Sequence, residues 1–323
     1  MNRRDAVLAL LLLGAPVPLL AQPLPSAPRV GILNFGPASK PMAQSFMRGM
    51  ADLGYEDGKN VHYETRTGDG SNEKAIAIAR ELVAAKVDLI WAPGTASATA
   101  AREATASVPI VFALVADPVG SGFIRSLARP GTNATGITTL NAEIAAKRIQ
   151  LLNEAFPRLR RVGVLHNPGD SSSVAQLLFV QQGVRALGKE QMVAEARAPE
   201  EFAAALAKLA AWRADSLIIV ENGLYFNHRK TLLDWATKHR LPTINSTKDY
   251  VEDGGILAYG ADYADNCRRS ASYVDKILKG AKPADLPTQQ STKFELTINL
   301  KAAKAMGLSI PGSMLLRADR VVE

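Results

Sequence analysis

Three sets of polar residues follow apolar runs in this sequence, and each has types suited to holding a small molecule. The first is Gly94-Thr95-Ala96-Ser97, between an apolar run and an Ala-rich segment. At a helix start, the Thr95 and Ala96 amides and the Thr95 and Ser97 hydroxyls suit an anion such as a carboxylate. The same residue types also serve as an ordinary helix cap. The second is Asp117, just after the apolar run 108–114. It can accept from a ligand ammonium or cap a short helix over 119–127, and a carboxylate has about four acceptor sites with which to do both. The third is a group of loops in the second half: Asn167 with Ser172 and Ser173, Asn222, and Asn245. Asn34 ends the first strand, Phe35 opens the turn after it and Tyr259 lies in a late strand, which completes the candidate ligand-binding set. Phe35, Tyr225 and Phe226 can supply aromatic walls or simply pack lobe edges.

Signatures of catalysis are weak. The chain has no G-x-S-x-G, H-E-x-x-H or C-x-x-C pattern, so neither a nucleophile elbow nor a zinc site is indicated. His62, His166, His228 and His239 are too scattered to argue a metal site. The alternative to a binding protein is a secreted hydrolase of a small polar substrate. It would need Ser97 or Ser172 as nucleophile and His166 as base, and no acid is placed beside His166. No cofactor or metal is expected.

The elements that position these residues alternate. Strands are predicted over 29–34, 61–66, 87–92 and 108–114, with helices over 42–53, 73–85 and 96–106 between them. The rhythm restarts with helices over 143–156, 171–187, 200–212 and 229–239 and strands over 161–166, 191–197, 216–220 and 242–245. Then come a strand over 256–260, a helix over 263–278, and an alternating stretch, 294–299, of the kind found at a sheet edge. Strand–helix alternation implies parallel sheets with helices on both faces. Polar loops at the same ends of the strands face a shared gap, where open α/β sheets bind ligands. Two similar lobes fit two blocks of similar size, and one continuous sheet is the competing arrangement.

Composition bounds the rest. Hydrophobic residues are 47% and charged residues 21% of 323, a globular balance. Asn2-Arg3-Arg4, an apolar core over 6–15 and the small residue Ala21 read as a signal peptide over 1–21. The expected location is therefore the periplasm, with the signal removed. Cys267 is the only cysteine, so no internal disulfide can form. The net charge is +7, and losing Arg3, Arg4 and Asp5 leaves 7 − 2 + 1 = +6. The basic residues are dispersed and few aromatics lie among them, so nucleic-acid binding is not indicated.

Several words of the sequence carry a resemblance. They are Gly94-Thr95; Val111-Phe112 running into Asp117-Pro118-Val119-Gly120-Ser121-Gly122; Leu127-Ala128-Arg129-Pro130-Gly131 with Asn133-Ala134-Thr135-Gly136; the stretch 273–283; Phe294-Glu295-Leu296; and Asn299-Leu300-Lys301-Ala302-Ala303-Lys304. In combination the chain resembles bacterial ABC transporter substrate-binding proteins of the tryptophan- and tyrosine-type group, which are similar to type I periplasmic binding proteins. The resemblance implies an α/β fold of two Rossmann-like lobes with parallel sheets, joined by a three-crossover hinge near Leu140, Gly254 and Leu286. Lobe 1 would be 28–140 plus 255–285, and lobe 2 would be 141–254 plus 286–323. It also implies a monomer without enzymatic activity, with an ABC permease and its ATPase as partners. The ligand would be an amino acid or similar compound, with its carboxylate at Thr95–Ser97 and its ammonium near Asp117.

Overall fold

The structure, a computed structural model, describes residues 27–323, and the signal peptide expected over 1–21 lies outside them. The first lobe begins with β1 (Arg29–Asn34), α1 (Lys40–Asp52), β2 (His62–Thr67) and α2 (Asn72–Ala84). It continues with β3 (Leu89–Pro93), α3 (Gly94–Ala104), β4 (Ile110–Val115) and β5 (Ala134–Thr138). The second lobe runs through α4 (Asn141–Ala155), β6 (Arg161–His166), α5 (Ser171–Ala186), β7 (Glu190–Glu195), α6 (Phe202–Ala211) and β8 (Ser216–Ile219). It adds α7 (Gly223–Asn227), α8 (Arg229–Lys238), β9 (Ile244–Asn245), α9 (Lys248–Glu252) and β10 (Leu257–Ala261). The chain then returns to the first lobe for α10 (Tyr263–Leu278) and β11 (Gln289–Gln290). It ends in the second with β12 (Phe294–Asn299), α11 (Leu300–Ala305), α12 (Gly312–Leu315) and β13 (Arg320–Val322).

The first sheet has the order β11-β5-β4-β3-β1-β2, with every pair parallel. Its strands β3 and β4 are buried throughout, as expected of a sheet covered on both faces. One face packs on α2 and α3, the other on α1 and α10. On the second face Phe46 stacks on Trp91 at 4.4 Å, and the Trp91 indole N–H donates to Ser270 Oγ at 2.8 Å. The second lobe holds strands β7-β6-β8 and β13-β12-β10-β9, joined by a parallel bridge between Leu217 and Thr243.

Four expectations are corrected. The strand near 256–260 belongs to the second lobe: β10 pairs in parallel with β9 and antiparallel with β12. The chain therefore changes lobe at Asp262, after β10, and only α10 packs on the first sheet. The third crossover lies beyond Leu286, because Gln289 and Gln290 still pair with Ile137 and Thr138. The stretch 294–299 is no edge, since β13 pairs with its outer side and Leu296 to Asn299 are buried. No helix forms over 119–127. The amides of Phe123 and Ile124 both return to the Pro118 carbonyl, and Gly122, at φ +71°, bends the chain off a helical path.

Candidate functional site

The cleft between the lobes encloses a cavity of about 540 Å³, open mouth included. The first lobe contributes Phe35, Met42, Pro93, Gly94, Thr95, Ala96 and Leu114; the second contributes Asp170, Ser172, Glu221, Asn222, Gly223 and Phe226. Asn141 and Tyr263 line it from the crossovers. Further out, the cleft runs between Asp117, Gly120 and Ser121 on one side and Pro168, Gly169 and Ser171 on the other.

Among the helices that begin at this space, α3, α5 and α7 differ in how they begin. Helix α3 follows Pro93, and no side chain caps it. Gly94 makes the turn from β3 at φ +81°, a conformation that favours glycine. Thr95 Oγ1 takes the Ala116 N–H at 3.4 Å, and the fully buried Ser97 hydroxyl has no partner. The uncapped end therefore keeps its dipole for a ligand. Helix α5, by contrast, is capped by Asp170, which accepts from Ser173 N at 2.8 Å. Helix α7 is capped by Asn222, which accepts from Tyr225 N at 3.0 Å.

Glu221 is the centre of the second wall. It is 7% exposed. Its Oε1 accepts from the Tyr263 hydroxyl at 3.0 Å, while Oε2 has no partner. The support continues behind it. The Asn141 amide donates to Tyr263 at 2.9 Å, and the buried Arg148 donates to Asn141 Oδ1 at 2.7 Å and to the Tyr259 carbonyl at 2.8 Å. Gln176 ties Ser172 Oγ (3.0 Å) to the Glu221 carbonyl (2.9 Å). Burial pushes the Glu221 carboxyl up to about 7, and the positive charge of Arg148 and the Tyr263 bond offset only part of that rise. Asp170 keeps some surface exposure yet is hemmed in by the cleft walls, and that desolvation pushes it up to about 6 against two backbone hydrogen bonds. An unpartnered, buried carboxylate oxygen on a residue that lines a cavity is costly unless a donor arrives.

The residues singled out from sequence fall into distinct places. Phe35, Thr95, Ala96, Ser172 and Asn222 line the cavity. Asn167 lines a side branch of the cleft with Asp170, and its amide oxygen accepts from Gly169 N at 2.9 Å. Asp117 stands in the outer cleft, where it accepts from Gly120 N at 2.8 Å. Ser97 and Asn34 are fully buried just behind the wall, and Asn34 Oδ1 is also without a partner. Ser173 is turned inward to His166 Nδ1 at 3.0 Å and Asn167 N at 3.1 Å. Asn245 lines a small internal cavity of the second lobe with Arg148 and Gln176, and both its amide atoms lack partners. Tyr259 stacks on Phe294 at 6.4 Å, away from the cavity. Glu221, Asp170, Asn141 and Tyr263 were not among the candidates. The signal for Glu221 was an acid directly after the buried strand run 216–220, the same cue that drew attention to Asp117.

The hydrolase alternative finds no support here. Among the described residues the one hydrogen-bonded Ser–His pair, Ser173 with His166, lies away from the cavity, and the Ser172 that does line it is bound by Gln176.

Comparisons with known proteins agree with this geometry. Residues 29–322 match the sequence profile of the family described as ABC transporter substrate binding protein. The chain is 26% identical over 265 residues to the tyrosine-binding protein of Clostridioides difficile, covering 82% of this chain and 76% of that one. Two solved structures superpose with a TM-score of 0.86. One is a conserved domain protein from Vibrio cholerae, 29% identical, covering 91% of this chain and 99% of that one. The other is an ABC domain from Streptococcus pneumonia in complex with L-Trp, 25% identical, covering 92% and 100%. With two lobes around a small-molecule cleft and a family match over almost all of the described residues, this chain belongs to the ABC transporter substrate-binding proteins, receptors that present a captured solute to a membrane permease.

Proposed function

We propose that this receptor binds a zwitterionic α-amino acid with a large apolar side chain. The observation that carries the reading is the buried, unpartnered Oε2 of Glu221, a residue that lines a cavity whose opposite wall is the uncapped start of α3. The ligand ammonium pairs with Glu221, and the carboxylate takes the amides of Thr95 and Ala96. The side chain lies among Phe35, Met42, Leu114 and Phe226. This differs from an ammonium at Asp117, whose carboxylate stands in the outer cleft and is engaged by Gly120. The ligands of the relatives, tyrosine and L-Trp, belong to the same class. We further infer that the receptor is exported with its signal removed, acts as a monomer in the periplasm, catalyses no reaction, and serves a permease driven by its ATPase.

A thermal-shift screen of the amino acids tests this, aromatic and branched ones first. A true ligand at a hundred times its Kd adds about 2.7 kcal/mol of stability, and Glu221→Gln at the same concentration should leave about 0.4 kcal/mol of it. A screen without any shift overturns the ligand class.

A further inference from the structure

Two glycines, one on each lobe, face a side chain of the opposite lobe. Gly36 has an extended backbone with φ −158°, which any residue adopts. A Cβ there would lie 2.5 Å from Asn227 Oδ1 and 2.7 Å from Asn227 Nδ2. Gly223 is likewise outside the glycines with positive φ, and a Cβ on it would lie 2.8 Å from the Phe35 ring. Neither position needs glycine for its own conformation. Each needs it for what the other lobe brings.

The Asn227 amide is held at both ends. Its Oδ1 accepts from the Ala38 N–H of the first lobe at 3.1 Å, and its Nδ2 donates to the Gly223 carbonyl at 2.8 Å. The Tyr263 bonds to Glu221 and Asn141 also join the lobes, but they sit at a crossover. Among the described residues, the Ala38–Asn227 bond is the one that crosses the cleft away from the crossovers.

We propose that Asn227 is a positioning residue for closure: with Gly36 and Gly223 it forms a clasp that exists only when the lobes meet, and it sets the ratio of closed to open receptor. The inference needs the two-lobe receptor and not the identity of the ligand. With the lobes apart, an alanine at 36 meets nothing from the second lobe. With them together, it drives the Asn227 amide off both partners.

Dyes attached to Lys74→Cys on α2 and Lys208→Cys on α6 report the lobe separation by single-molecule energy transfer. Both sites are exposed, and Cys267 is fully buried and stays unlabelled. The measurement is made without ligand and with saturating L-tyrosine or L-tryptophan. Gly36→Ala should lower the closed-to-open ratio about tenfold, and Asn227→Ala, which loses the one hydrogen bond that crosses the cleft, about threefold. The double variant Gly36→Ala/Asn227→Ala should return to the level of Asn227→Ala alone, because the clashing amide is gone. The ligand-free melting temperature of Gly36→Ala should stay within about 2 °C of the wild type, which separates a closure defect from a folding defect. A wild-type ratio in Gly36→Ala, a double variant as impaired as Gly36→Ala, or a wild type that never closes overturns the clasp. If neither amino acid moves the wild-type ratio, an aromatic ligand is ruled out, and the ligand-free ratios of the variants still decide the clasp.

Discussion

In the first lobe the helix that meets the cleft, α3, begins at Pro93 with no side chain over its amides; in the second, α5 and α7 begin beneath Asp170 and Asn222. The difference divides the work of recognition. The first wall offers backbone donors, the Thr95 and Ser97 hydroxyls and apolar surface. The second wall offers carboxylates, and its helices α5 and α7 have already used their starts. In the proposed reading, charge selection therefore lives on the second lobe, and the first acts as a donor-lined cover. A zwitterion placed between them neutralises both walls at once, which neither a simple anion nor a simple cation does.

The strongest way to break this division is to remove the charge from the second wall. Glu221→Gln should weaken an amino-acid ligand about a hundredfold by calorimetry, since truncating one partner of a buried charge pair costs about 2–5 kcal/mol. An unchanged affinity would place the ammonium elsewhere.

Acidity sharpens the same point. The folded Glu221 value near 7 stands above the ordinary 4.5, so the folded, empty protein keeps a proton that the unfolded chain releases first. Stability of the empty receptor should therefore fall as pH rises from about 4.5 to about 7 and level off above that. Asp170 acts in the same direction from 3.8 to about 6. Arg148, Arg229, Asp249 and Tyr263 are the charged and titratable neighbours that set the Glu221 value along with burial. An ammonium requires the ionised carboxylate, so binding should expel a proton below pH 7. Affinity should drop up to about tenfold per unit of acidification in that range, and calorimetry in two buffers of different ionisation enthalpy would count the proton.

On the first wall the effect should be smaller. Ser97→Ala removes a buried hydroxyl without a partner, so the empty protein should lose no stability. Ligand affinity should fall about five- to tenfold if that hydroxyl joins the carboxylate. Smallest of all is Asp117→Asn, which keeps an acceptor for Gly120 N and should change affinity less than twofold. A larger change would return the ammonium to the outer cleft.

Much of the architecture was legible because its signals are local. The buried runs of β3 and β4, the helix over 263–278 and the Gly94 turn each announce themselves within a dozen residues. What escaped depends on pairing across the chain. Whether the strand after Gly255 belongs to the first or the second lobe is decided by Ile244, Asn245 and the stretch 294–298, which no local pattern reveals. The site divides similarly. Thr95, Ala96, Phe35, Ser172 and Asn222 end strands or open helices, and their positions placed them at the cavity. Tyr263 and Asn141 line it because crossovers bring them there, and the weight of Glu221 comes from burial and an empty lone pair. Asn245 and Tyr259 look equivalent in sequence, but the first faces an internal cavity and the second a neighbouring ring.

The lobes are joined by three passes of the chain, between Thr138 and Asn141, between Ala261 and Tyr263, and between Gln290 and Phe294. Two strands of such a tether would still let one half swivel against the other. A third restricts that swivel and narrows the arc of travel. On a narrow arc the same atoms would arrive opposite one another at each closure, and the proposed clasp, a lone amide matched to two missing methyl groups, needs that repeatability.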